Sequence, residues 1–196
     1  MEQIALKFKS TKNICNNNGS TLILLVIAIS VIIILGTSLM NVSMMHYKIK
    51  KSNTEMKKSF YMSEKGLNTS FSIAYNLAVE SVEDSIEKSN EYLLIYPSNS
   101  NEAANIFSNN FKVYILGRIE SSINKNDNPK IEIINSDSLV FIDGELSISI
   151  KSKYISNDGV EATTLTDLII TVPDYDSIDT IDFSSLIYFN NWKKGI

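Results

Sequence analysis

The chain has 196 residues, a length that fits one globular domain with an accessory segment. Its formal net charge of −4, from 18 Lys and Arg against 22 Asp and Glu, argues against nucleic acid as a main partner. Its one cysteine, Cys15, excludes an intrachain disulfide, so an extracellular fold here has to hold by its core alone.

Residues 1–19 are short, polar and weakly basic, with Lys7, Lys9 and Lys12 against Glu2. Cys15 precedes the apolar run that follows, whereas a lipid-modified cysteine would come after it. Residues 22–40, LILLVIAISVIIILGTSLM, carry no charge. As a helix they extend roughly 30 Å, enough to cross a bilayer core. A segment this apolar on every side is not the surface helix of a soluble domain. An ordinary signal peptide would be cut after such a run, yet no small-residue cleavage site follows Met40.

The chain continues without proline to residue 96. Met45, Ile49, Met56, Phe60, Leu67, Phe71, Ala74, Ala78, Val82 and Ile86 recur at helical spacing, which predicts an amphipathic continuation of the same helix. Glu80, Glu83, Asp84 and Glu87 read as its solvated face. The YPSNS stretch at 96–100 is a break, and residues 101–124 predict a second helix with Ile106, Phe107, Val113, Tyr114, Leu116 and Ile119 inward. Strands are expected at 130–134, 138–142, 145–154 and 160–172. Asp143-Gly144 forms a tight hairpin turn and Asn157-Asp158-Gly159 the next. The tail from Pro173 is acidic, then aromatic, and is expected as an edge strand or a docked loop.

Gly19-Ser20-Thr21-Leu22-Ile23-Leu24, placed between a short basic leader and an uncharged helix, resembles the processing junction of type IV pilins and pseudopilins. Residues 60–68, FYMSEKGLN, resemble the AFYAAEAGL-type segment of PilX-like minor pilins and GspK-like minor pseudopilins, through Phe60, Tyr61, Glu64, Gly66 and Leu67. The resemblance covers about the first 80 residues and implies an α+β fold. In it a long N-terminal helix, hydrophobic and then amphipathic, packs on a small antiparallel β-sheet, with a second helix alongside.

The organisation it implies is a prepilin leader at 1–19, a transmembrane or filament-core helix at 20–41, its amphipathic continuation at 42–90, and an extracellular head at 91–196. A prepilin peptidase would cut between Gly19 and Ser20 on the cytoplasmic side. The partners would be other pilin or pseudopilin subunits and the assembly platform of the cytoplasmic membrane. The sequence departs from the family at Ser20, where Phe or Met is usual, and at Asn16, Asn17 and Asn18, which replace a basic pair. It departs again at Leu24, where major pilins carry Glu. A carboxylate inside a membrane helix is costly and implies a function. Its replacement by Leu24 points to a minor, priming or tip subunit.

Lys48, Lys50, Lys51, Lys57 and Lys58 after the helix outnumber the lysines before it, and the positive-inside rule by itself would put the C-terminal side in the cytoplasm. The family resemblance puts it outside. No catalytic constellation is visible, because His46 is the one histidine and no cysteine or histidine follows it. No metal or cofactor site is expected. His46 lacks partner ligands, and Asp174, Asp176, Asp179 and Asp182 lack the spacing and glycine of a calcium loop. No phosphate-binding loop is present. A minor pilin-like subunit is therefore the leading reading. The alternatives are a single-pass membrane sensor or receptor ectodomain and a minor pseudopilin of a type II secretion or competence system, with an anchored enzyme a distant third.

Overall fold

The computed structural model describes residues 18–180 and 182–195. The leader residues Lys7, Lys9, Lys12, Cys15, Asn16 and Asn17 lie outside them, as does the side chain of Asp179. The chain divides into two compact units, Met1–Lys51 and Ser52–Ile196. One helix, α1 (Asn18–Ile95), has residues in both.

In the first unit α1 is exposed all along the apolar run. Two of its hydroxyls bond within the helix. Ser30 Oγ donates to the Val26 carbonyl at 2.8 Å and Thr37 Oγ1 to the Ile33 carbonyl at 3.0 Å. Such back-bonding leaves those two hydroxyls no need of water, which suits a lipid-facing helix.

The second unit is α+β. From Ser59 onward α1 packs with α2 (Ser100–Ile123) on one face of an antiparallel sheet of five strands. These are β1 (Lys130–Ile133), β2 (Phe141–Ile142), β3 (Glu145–Ile155), β4 (Glu161–Thr171) and β5 (Ile187–Gly195). The order is β1-β3-β4-β5, with β2 pairing the start of β3. A four-residue helical turn, α3 (Phe183–Leu186), leads into β5. The fold class expected from the sequence is the one observed.

Alternation sets which face is buried. Leu146, Ile148, Ile150 and Ser152 of β3 and Thr164, Thr166, Leu168 and Ile170 of β4 point inward, while Ser147, Lys151 and Lys153 are on the other face. The β2–β3 turn has Asp143 at φ 51° and Gly144 at φ 84°, two left-handed residues in succession, as a tight hairpin of this hand requires.

Several elements differ from expectation. Only Phe141–Ile142 form a strand where 138–142 was expected, because Ser136–Ser138 turn as a short 3-10 helix. The aromatic tail, by contrast, takes one of its two expected forms, an edge strand, β5, pairing along β4. In α2 the buried row is Ala103, Phe107, Phe111, Ile115, Ile119 and Ile123, a strict four-residue spacing. Val113 and Leu116, expected inward, are exposed at 70% and 36%. An i, i+4 row is the ridge that one helix offers to the groove of another, and this ridge fills the angle between α1 and the sheet.

On α1 the apolar stripe also needs correction. Leu67, Ala74, Ala78 and Val82 are buried, but Met45, Ile49 and Met56 are exposed. Much of the inward face is a row of small residues: Ser59, Ser63, Gly66, Ser70, Ala74, Ala78, Ser81, Ser85 and Ser89. Small side chains let two backbones approach closely. Ser81 Oγ and Ser89 Oγ accordingly reach the main-chain carbonyls of Phe111 (3.2 Å) and Ala103 (3.1 Å) across the helix pair. Farther along, Ser59 Oγ donates to the Val160 carbonyl at 3.2 Å.

Candidate functional site

The residues singled out by their resemblance fall into two groups, one in each unit. Gly19, Ser20 and Leu24 lie in the first two turns of α1. Leu24 is 69% exposed, and its neighbours Ile23, Leu25 and Val26 are equally bare. No Asp or Glu lies between Ser20 and Thr54, so this stretch of helix offers an uncharged, mostly apolar surface up to Tyr47, followed by lysines. Gly36 has open space around its Cα, leaving a shallow notch on that surface. It is the one helix, among the described residues, long and apolar enough to cross a membrane.

The second group, Phe60 to Leu67, sits where α1 meets the sheet. Leu67 is fully buried in the core. Gly66 lies directly on β3. A Cβ there would collide with the Ser152 hydroxyl and press on Pro129. The glycine is therefore required by close helix–sheet approach, a packing role that its position in the motif did not reveal. Phe60 and Glu64 are half-buried, and Tyr61 is exposed beside Phe60, with ring centroids 6.0 Å apart. Phe60, Tyr61, Asn53, Met56 and Lys57 line a shallow groove on the helix surface.

The acidic face of α1 is more than solvated surface. Asn110 of α2 donates to Asp84 Oδ2 at 2.6 Å and to Ser85 Oγ at 3.1 Å. Lys88 Nζ donates to Asn110 Oδ1 at 2.7 Å and pairs with Asp84 at 2.9 Å. The Asn110 hydrogen bond, helped by Lys88, holds the Asp84 carboxyl below its usual range. One turn away Tyr114 donates to Glu80 at 3.1 Å, and Arg118 stacks 3.8 Å over the Tyr114 ring. Desolvation first, and the bond to Glu80 second, push the Tyr114 phenol up. These contacts fix α2 on α1. No reacting group converges on them.

His46 is exposed on α1. Among the described residues no group of three His, Cys, Asp or Glu side chains could hold a metal ion. Asp174 uses its carboxylate locally, accepting from the Asp176 amide at 3.3 Å, while the Asp182 carbonyl accepts from Ser185. Compared with known proteins, the chain matches no family model, no curated protein and no solved structure.

Proposed function

We propose that this chain is a minor, pilin-like structural subunit that primes or tips a type IV pilus or a related pseudopilus, and that it is not an enzyme. One observation carries the reading. In the first unit α1 has an uncharged apolar run long enough to span a membrane, and in the second unit α1 is seated on an antiparallel sheet. That is the arrangement a subunit needs if it is to be stored in the bilayer and then withdrawn into a helical filament core. Once in the core, apolar packing against neighbouring helices replaces contact with lipid, so fit matters more than water exclusion. Ala28, Ser30 and Gly36 are the small residues available for such fitting.

In this reading a prepilin peptidase cuts after Gly19 and leaves Ser20 as the new N-terminus. The partners are other pilin subunits and the cytoplasmic-membrane assembly platform, and the C-terminal unit faces outward. Leu24 carries no charge with which to meet a neighbouring amine, which fits a subunit that has no predecessor. A deletion strain tests this. Filament number should fall sharply and recover with the unaltered chain. Normal filaments in the deletion strain would contradict a priming role. A single-pass sensor is the second reading, favoured by the lysines at 48–58 and the positive-inside rule.

A further inference from the structure

We infer that residues 52–65 of α1 form a strap that lifts off β3 and β4 about a hinge at Gly66, while the helix from Leu67 onward stays seated on the core. The inference concerns the second unit alone. It rests on neither membrane crossing nor filament assembly.

The two parts of α1 are held by different chemistry. The apolar core takes in Leu67, Ala74, Leu77, Ala78 and Val82, but no α1 residue ahead of Leu67. Between Ser52 and Lys65 the buried side chains are those of Ser59 and Ser63. Phe60 and Met62 are half-buried and lie apart from that core. Ser63 Oγ donates to the Phe60 carbonyl of its own helix at 2.8 Å. Ser59 Oγ reaches the Val160 carbonyl at 3.2 Å, long for a bond of this kind.

The sheet beneath the strap is polar as well. Gly66 rests on Ser152, and Ser152 pairs in register with Thr164. Both side chains are fully buried, and neither Ser152 Oγ nor Thr164 Oγ1 has a hydrogen-bond partner. Tyr154 and Ala162, the next inward pair toward the β3–β4 turn, are half-buried. The closed strap therefore keeps water from two hydroxyls while covering little apolar surface. A buried hydroxyl with no partner forfeits its hydration, and lifting the strap restores it. Gly66 supplies the hinge, because glycine is the weakest helix former after proline and falls at the boundary between the two seats. Opening breaks no contact of the apolar core, so the sheet and α2 stay folded while the strap moves.

The test uses the full chain in detergent with Cys15→Ser and one new cysteine, either Ser63→Cys in the strap or Ser85→Cys in the seated part. Both positions are fully buried on the same helix, so each thiol reacts with dithiodipyridine only when its site opens. Ser63→Cys should be labelled about 100-fold faster than Ser85→Cys, because local opening needs much less free energy than unfolding of the core. Its rate should be nearly flat in low urea, whereas the Ser85→Cys rate should rise steeply, since the urea slope follows the surface exposed. Removing both unpartnered hydroxyls with Ser152→Ala and Thr164→Val should slow Ser63→Cys labelling by about tenfold. Equal rates with equal urea slopes at the two positions overturn the strap. So does a Ser63→Cys rate that Ser152→Ala and Thr164→Val leave unchanged.

Discussion

At the scale of single residues, Gly66 and Ser152 make the sharpest prediction. Gly66→Ala would gain about 1 kcal/mol of helix propensity. Forcing a methyl onto the Ser152 hydroxyl costs about 1–3 kcal/mol. The net expectation is a loss of up to about 2 kcal/mol, read as a lower melting temperature of the full chain in detergent. Ser152 Oγ is buried without a hydrogen-bond partner, as is Thr164 Oγ1 opposite it on β4. Ser152→Ala removes an unsatisfied hydroxyl and the atom that Gly66→Ala would strike. The single Ser152→Ala change should therefore be neutral or stabilising, and the double variant should recover most of the loss. Additive losses would mean that the two residues do not share the contact.

Asp84 gives a pH prediction. Its folded pKa is lowered, so its contribution is present above the unfolded value, about 4, and fades as pH falls through the lower folded value. Asp84→Asn should cost stability at neutral pH, and the gap from the unaltered chain should close below about pH 4. A gap constant across pH would show that the carboxylate's charge plays no part. The effect is small because the group is partly exposed.

The asparagines show what composition hides. Asn124 Oδ1 accepts from the Ile133 amide, Asn128 bonds both the amide and the carbonyl of Ile155, and Asn135 bonds the Ser149 amide and the Ser147 carbonyl. Each stands in for a missing strand partner at the edge of β3 or β1. In the sequence these were simply polar residues in breaks, because a side chain that mimics backbone is defined only by what folds next to it.

At the scale of elements, the α1–α2 pair is held by small residues on one side and large ones on the other. Ser85 lies on the buried row of α1, and Ser81 and Ser89, one turn to either side, reach the main chain of α2. Ser85→Leu should push the helices apart and destabilise by about 1–3 kcal/mol, measured by chemical unfolding of the full chain in detergent. A neutral result would mean that the seam is loosely packed.

Helix positions, the Asp143-Gly144 turn and the strands at 145–155 and 161–171 could be read from the sequence, because each rests on local periodicity or turn chemistry. The packing row of α2 could not. Apolar residues lie on several sides of that helix, and only the angle between α1 and the sheet selects the four-residue row. The serine seam was equally hidden, since serine carries no hydrophobic signal. Most of the inward face of α1 was therefore assigned to its larger neighbours.

For the whole molecule, neither free edge of the sheet invites a further strand. β1 is four residues long and carries Lys130 and Glu132, paired at 3.0 Å. Along β5 the register shifts between Leu165 and Asp167, Asn191 turns to φ 53°, and Lys193 is exposed. Short, charged or irregular edges resist sheet-to-sheet association. Association in the proposed reading therefore falls to the apolar stretch of α1. The candidate site was partly visible from the start, as an uncharged run after Gly19 and as the segment from Phe60 to Leu67. What the sequence could not separate was role. Gly66 and Leu67 serve the core, whereas Phe60 and Tyr61 line open surface.

The central claim is that α1 is freed at its N-terminal end and kept. Intact mass of the chain isolated from its own cells tests this directly. The account predicts a mature protein beginning at Ser20. A chain that keeps Met1, or one cut beyond Met40, would contradict it.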